Sequence, residues 1–111
     1  MKFTVRSIRA AQRDFNEMAD YLSSHSRRGA EAWTAAFAKA LAHLEENADA
    51  CPLAEEDGDF VDFELRETFF KTRRGHRYRI LFTIRKTAAI ILHIRGPGQD
   101  LVDPMEMREP E

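Results

Sequence analysis

Two stretches near the carboxyl end decide the fold: Arg-Tyr-Arg-Ile-Leu-Phe-Thr-Ile-Arg at 77–85 and Ala-Ala-Ile-Ile-Leu-His-Ile-Arg at 88–95. In the first stretch, apolar residues recur at every second position from Tyr78 to Ile84, which is the side-chain period of a β-strand. The second stretch is apolar and β-branched, and it ends at Gly96. Together they predict an antiparallel hairpin closed by a three-residue loop at 85–87.

Toward the amino terminus, the spacing of the apolar residues changes from the two-residue period of a strand to the period of an α-helix. A short alternation around Phe3 and Val5 predicts a first strand. Apolar residues then recur at three- and four-residue steps in two segments separated by 23–26. The members of these two stripes are Ile8, Ala11, Phe15, Met18, Ala19 and Leu22, then Ala30, Trp33, Phe37, Ala40, Leu41, Leu44 and Ala48. With a further strand over 60–70, the predicted order is β-α-α-β-β-β: an α+β fold with a helix hairpin packed on a mainly antiparallel four-stranded sheet.

Length and composition predict one domain. The chain has 111 residues, 43% of them hydrophobic and 32% charged, which is typical of a packed globular protein. We expect the domain to span residues 1–100 and an acidic tail to span 101–111. No leader-like apolar segment and no membrane span are visible, and the single Cys51 suits a reducing compartment, so a cytoplasmic location is expected.

The net charge of −2 hides a segregation of charge along the chain. Residues 45–67 hold ten acids and one arginine, whereas 71–95 hold eight basic residues and no acid. A basic block of this kind attracts phosphates or an acidic protein surface. The alternative is that these charges form solvated faces that balance one another.

A candidate site follows from the expected register of the last hairpin. A three-residue loop places Ile80 opposite Leu92 on the helix side, with Arg79 opposite His93 and Arg77 opposite Arg95 on the outer face. Like charges that face each other are unfavourable, so an anion is expected there. The same outer face is expected to carry apolar residues, namely Leu81, Thr83, Ala89 and Ile91. A partner segment could cover both ends, or the chain's own acidic tail or the acids at Glu64 and Glu67 could do so.

Few residues of the sequence point to metal, cofactor or catalytic chemistry. His and Cys residues are not spaced as metal ligands, and no glycine-rich phosphate loop is present, so no metal or cofactor is expected. RNA cleavage needs no metal, because a 2'-hydroxyl can attack the neighbouring phosphate if a base, an acid and positive charge are supplied. His93 could serve as base or acid, with His76 as a weaker candidate, or His93 could be a structural hydrogen-bonding residue.

The elements resemble the RelE/ParE superfamily of type II toxin-antitoxin toxins. The resemblance covers residues 1–100 and is carried by Glu64-Leu65-Arg66, Tyr78-Arg79-Ile80-Leu81-Phe82 and Ile91-Leu92-His93-Ile94-Arg95. It implies a bacterial, plasmid-stabilisation-type protein that inhibits growth and is neutralised by a cognate antitoxin. RelE-like members cleave mRNA on the ribosome, and ParE-like members poison DNA gyrase.

The resemblance also implies roles for individual residues. Arg66 and Arg79 match basic positions that hold the phosphate in RelE-like nucleases, so Arg79, His93 and Arg66 are the candidate catalytic set. The candidates for binding a phosphate or a partner are Lys71, Arg73, Arg74, Arg77 and Arg95, and those for binding an antitoxin are Leu81 and Ile91. Glu64 stands where the nucleases carry a lysine, which counts against cleavage. A metal-independent mRNA endonuclease, a gyrase inhibitor and a non-toxic protein that binds an acidic partner all stay open.

Overall fold

The structure is a computed structural model that describes residues 2–57, 63–73 and 75–97. The first strand is β1 (Thr4–Ser7), and two helices follow, α1 (Arg9–His25) and α2 (Arg27–Asn47). A 3-10 turn (Ala48–Ala50) precedes the strands β2 (Arg66–Lys71), β3 (Arg77–Arg85) and β4 (Ala88–Arg95). The predicted order and the α+β class are confirmed. The second strand begins at Arg66, later than the expected residue 60, and the acidic tail at 101–111 lies outside the described residues.

The four strands form one mixed sheet in the order β1-β4-β3-β2. The central pair β3–β4 and the pair β2–β3 are antiparallel, whereas β1 runs parallel to β4. The sheet is therefore mainly antiparallel, as predicted. The parallel pairing follows from the connection, because the two helices and the two middle strands separate β1 from β4 in the chain.

The two helices form a hairpin joined by a single residue, Ser26. Its backbone N–H donates to Leu22 at the end of α1, and its Oγ accepts the N–H of Gly29 at 3.0 Å in the first turn of α2. A serine at this position satisfies an otherwise unpaired amide of the new helix. The hairpin stripe packs on the sheet through Trp33, which is 2% exposed and whose ring contacts those of Phe70 in β2 and Tyr78 in β3. None of the helices among the described residues has the length and apolar character to span a bilayer.

Both faces of the sheet carry buried apolar residues. The helix side packs against the hairpin through a cluster that includes Phe70, Ile80, Phe82, Ala89, Ile91 and Ile94. The outer side has a smaller core, made of Ala54, Leu65, Leu81, Ile90 and Leu92. The chain itself therefore covers part of the outer face, which explains why three apolar residues follow one another at 90–92.

The predicted register of the last hairpin is wrong. Arg79 faces Arg95 and Leu81 faces His93, after which the pairing shifts, so that Phe82 faces Ile91 and Leu92 has no partner. The loop between the strands has two residues, and the first of them, Lys86, adopts φ 56°. A positive φ is typical of two-residue hairpin turns, and the extra residue in β4 is a β-bulge.

The bulge moves side chains between faces. Ile91 and Ile94 are three residues apart, yet both pack in the helix-side core. Ile91 and Ala89 therefore do not lie on the outer face, contrary to the prediction. Leu81 does lie there, but it is fully buried beneath the chain's own residues. Neither of the two expected antitoxin contacts, Leu81 and Ile91, is accessible on the surface.

The outer core predicts that replacing two leucines that lie near each other has different effects on the free energy of unfolding. Leu65 is fully buried, whereas Leu53 is 50% exposed. Replacing Leu65 by Ala should lower the free energy of unfolding by about 2–5 kcal/mol, because a cavity is left beside Leu81. Leu53→Ala, the matched control, should change it by about 0.5 kcal/mol or less. Urea unfolding monitored by circular dichroism measures both, and equal losses would contradict the assignment of a second core.

Candidate functional site

Arg79 lies on the outer face of β3 and is held by the chain's own carboxylates. Its two Nη atoms each lie 2.8 Å from an oxygen of Glu56, in a two-point ion pair, and Nη1 lies 3.4 Å from Glu67. The side chains of Arg79 and Glu56 are only 14% and 6% exposed. The hydrogen bonds that Arg79 donates to Glu56 raise the pKa of Arg79 above its ordinary value, despite the opposing effect of burial. The anion expected at Arg79 is therefore present within the same molecule.

Arg66 lies on the other face of the sheet. It pairs with Phe82, whose side chain is in the helix-side core, and residues paired across strands share a face. Its Nη1 donates to the carbonyls of Asp49 at 3.3 Å and Cys51 at 2.5 Å, and its Nη2 forms an ion pair with Glu64. Arg66 thereby ties the 3-10 turn that follows α2 to β2. The structure does not bring it together with Arg79.

His93 follows the bulge in β4 and contacts α1. Its Nδ1 lies 3.2 Å from Oδ2 of Asp14, and the same oxygen accepts the N–H of Ile94 at 3.0 Å. The reason is local, because β1 ends opposite Ile91 and leaves the rest of this edge of β4 without a strand partner. His93 is 7% exposed and faces Leu81 across the sheet, whereas Arg79 was the predicted neighbour. This placement matches the alternative of a structural hydrogen-bonding residue.

The hydrogen bonds at Asp14 also affect its ionisation. Burial favours the neutral carboxyl group, but the hydrogen bonds from His93 and Ile94 outweigh it, so the pKa of Asp14 is lowered. Asp14 is therefore an ionised acceptor that fastens α1 to the sheet edge.

Two of the remaining basic candidates, Arg77 and Arg95, line an open cleft on the outer face. The cleft has a volume of about 420 Å³ and is lined by Glu55, Glu67, Phe69, Arg77, Arg79, Arg95 and Gly96. The guanidinium of Arg77 lies 4.1 Å from the centre of the Phe69 ring, a cation–π contact. Arg77 faces Lys71 on the neighbouring strand. These observations bring Arg77, Arg79 and Arg95 to one cleft, and their binding role stays a prediction.

Lys71 is exposed and is not among the residues that line the cleft. Arg73 is exposed in the turn after β2 and does not line the cleft. Arg74 lies outside the described residues. His76, the weaker acid–base candidate, lines a separate cavity near the junction of the two helices.

Two acids that organise the site were not singled out from the sequence. Glu56 was one of ten acids in the block 45–67, and nothing in the spacing distinguishes it from its neighbours. Asp14 is a single charged residue between the apolar positions of α1, and nothing in its spacing marks it as a partner of His93. Both act over long separations in the chain, because Glu56 and Arg79 are 23 positions apart and Asp14 and His93 are 79 positions apart.

Comparison with known proteins identifies the family. A family model described as "ParE toxin of type II toxin-antitoxin system, parDE" matches residues 5–101. The chain belongs to the ParE toxin family. This confirms the resemblance to the RelE/ParE superfamily.

A solved structure supports the same fold. A chain from the "Chromosomal ParDE TA system from P. aeruginosa" matches with a TM-score of 0.63 and 16% identity. The match covers 86% of this chain and 96% of that chain. None of the curated proteins matches the chain.

The ion pair between Arg79 and Glu56 predicts strongly non-additive stability effects. Arg79→Met alone should destabilise the protein by about 3–5 kcal/mol, because it leaves the buried Glu56 carboxylate without a counter-charge. Adding Glu56→Leu should recover at least half of this loss, since apolar pairs of similar volume often replace buried ion pairs at little cost. A double-mutant cycle by chemical unfolding measures the coupling. Additive losses would contradict a tight pair.

The Asp14 contact predicts a dependence of stability on pH. Because the pKa of Asp14 is lower in the folded state, its contribution is present above the ordinary value of 3.8 and is lost as the pH falls below it. The difference in unfolding free energy between wild type and Asp14→Asn should therefore shrink between pH 6 and pH 2.5. Asp20→Asn, at an exposed position on the same helix, is the control. A difference in unfolding free energy that stays constant with pH would show that the charge of Asp14 does not contribute to stability.

Proposed function

We propose that this ParE-family toxin arrests growth by binding DNA gyrase and that it does not cleave RNA. The proposal rests on the observation that the candidate catalytic residues are already bound by other groups of the same chain. Both Nη atoms of Arg79 are hydrogen-bonded to Glu56, and Nδ1 of His93 is hydrogen-bonded to Asp14. Arg66 lies on the opposite face of the sheet, bound to main-chain carbonyls.

These contacts count against phosphate chemistry. Cleavage requires a base, an acid and a positive group within hydrogen-bond reach of one phosphate. Turning Arg79 toward a substrate would leave Glu56 buried without a counter-charge, at a cost of about 3–5 kcal/mol. Such a penalty would reduce the effective affinity for RNA by two to four orders of magnitude, at 1.4 kcal/mol for each factor of ten.

Inhibition by binding does not require Arg79 to leave Glu56. It requires a stable surface, and the ion pairs that keep Arg79 from binding a phosphate also make that surface rigid. Gyrase is the target that the resemblance implies for ParE-like members, and the family model that matches this chain is the ParE model.

We also propose a cognate antitoxin as the partner that neutralises the toxin. The support is the family itself and the solved relative, whose title names a ParDE toxin-antitoxin system. Both proposed partners act in the cytoplasm, in line with the expected location.

The target can be tested with purified protein. Added to DNA gyrase and relaxed plasmid, the full chain should block ATP-dependent supercoiling at stoichiometric concentrations. The variant with both Arg79→Met and Glu56→Leu should inhibit within threefold of wild type, because the guanidinium is not used. Primer extension on mRNA from induced cells should show no new cuts for either protein.

The double variant also tests the alternative that the protein is a ribonuclease. If it folds, as judged by circular dichroism, but no longer arrests growth, and if wild type produces mRNA cuts that the variant lacks, the protein is a ribonuclease. If wild type leaves both supercoiling and mRNA intact and its induction without an antitoxin is harmless, the protein is not a toxin.

A further inference from the structure

The cavity beside His76 is separate from the cleft at Arg79. It has a volume of about 280 Å³ and lies between the joint of the helix hairpin and the turn that connects β2 with β3. Leu22 at the end of α1, Trp33 in α2 and Tyr78 in β3 contribute to its walls. None of the residues that line this joint cavity also lines the cleft. It is therefore a second concave site with its own chemistry.

The size and lining of the joint cavity select a class of ligand. An apolar cavity of about 150 Å³ accommodates benzene, so the joint cavity has room for two fused rings. The rings of Trp33 and Tyr78 in its walls have centroids 5.5 Å apart and are inclined by 67°. Among the described residues that line it, none is a lysine, arginine, aspartate or glutamate. An uncharged aromatic molecule therefore fits these walls better than a charged one.

Trp33 places an unpaired hydrogen-bond donor in the wall of this cavity. Its side chain is 2% exposed, and in the described part of the chain no acceptor lies within hydrogen-bond distance of its buried Nε1. Buried indole N–H groups usually have a partner, and leaving one unpaired costs free energy. Contacts with the rings of Phe15 and Phe70 fix the plane of the indole. The donor is thus preorganised, and an acceptor that reaches it gains a hydrogen bond without competition from water.

Other polar groups around the cavity form bonds within the chain. Nδ1 of His25 lies 2.9 Å from the carbonyl oxygen of Tyr21, and Oγ of Ser26 accepts the N–H of Gly29 at 3.0 Å. These contacts hold the joint of the hairpin in place. They shape the cavity without using the N–H of Trp33, which stays available to a ligand.

We propose that the joint cavity binds an uncharged, flat molecule of two fused aromatic rings, one of whose atoms accepts the N–H of Trp33. The rings of the ligand lie against Tyr78 and Leu22. The acceptor reaches Nε1 after a small shift of the wall that covers this atom, and the hydrogen bond gained offsets the shift. The proposal does not depend on gyrase being the target or on any role of Arg79.

The probe is isoquinoline, added at pH 8 to the full chain labelled with ¹⁵N. Trp33 is the single tryptophan, so one indole ¹H–¹⁵N signal reports on this donor alone. Isoquinoline should move this signal downfield in a saturable manner, with a Kd of about 1 mM or lower. Indole has a similar size but carries a ring donor in place of the acceptor, and it should bind at least tenfold more weakly. N-methylisoquinolinium, which is charged and has its nitrogen blocked, should also bind at least tenfold more weakly.

Two variants separate the hydrogen bond from the shape of the cavity. Trp33→Phe keeps an aromatic wall and removes the donor, so isoquinoline and indole should then bind within threefold of each other, as followed by the backbone signal of Gly29. Gly29→Leu adds a side chain to the lining and should weaken binding of isoquinoline at least tenfold. A Cβ at this position lies 3.3 Å from Oγ of Ser26, a contact that a small adjustment relieves. Arg28→Leu, at the neighbouring exposed position that does not line the cavity, is the matched control and should leave the affinity within twofold.

Several outcomes would overturn the proposal. Equal binding of isoquinoline and indole to the wild type, or absence of a saturable shift, would remove the hydrogen bond to Trp33. Equal losses of affinity in Gly29→Leu and Arg28→Leu would place the bound probe elsewhere. Nuclear Overhauser effects in the free full chain between the indole N–H and residues beyond 97 would make the chain itself the occupant. If Trp33→Phe fails to fold, the three probes and the variants at positions 28 and 29 still decide the question.

Discussion

The two-point ion pair between Arg79 and Glu56 is the interaction on which the outer half of the molecule depends. Glu56 belongs to the segment that includes Ala54, and its contact with Arg79 holds this segment over the sheet. Beneath it, Leu65 and Leu81 become fully buried. Without a carboxylate at this point, a guanidinium would be buried without a counter-charge beside an apolar core. The polar contact and the hydrophobic contacts are therefore mutually dependent.

The same pair constrains function. An arginine can stabilise a reacting phosphate only if its donors are available, and here both Nη atoms are engaged by a carboxylate that is more buried than the arginine itself. The fold thus keeps a basic residue at the expected strand position, with both of its Nη atoms bound to a carboxylate of the same chain. In the proposed function, the ion pair is the feature that favours binding over cleavage. The ion pair is consistent with the proposed gyrase inhibitor because it stabilises a surface that does not need to open.

The sequence predicts the elements better than it predicts the site. The alternation from Tyr78 to Ile84 and the two helical stripes depend on local periodicity, which is visible in any short window. The register of β3 against β4 depends on a single extra residue, Leu92, and on the left-handed conformation of Lys86, and no residue type signals either one. A shift of this kind reassigns every side chain beyond it, so His93 faces Leu81 and Ile91 enters the helix-side core. Glu56 is unpredictable for a different reason, since a contact 23 residues away cannot be distinguished from those that neighbouring acids could make.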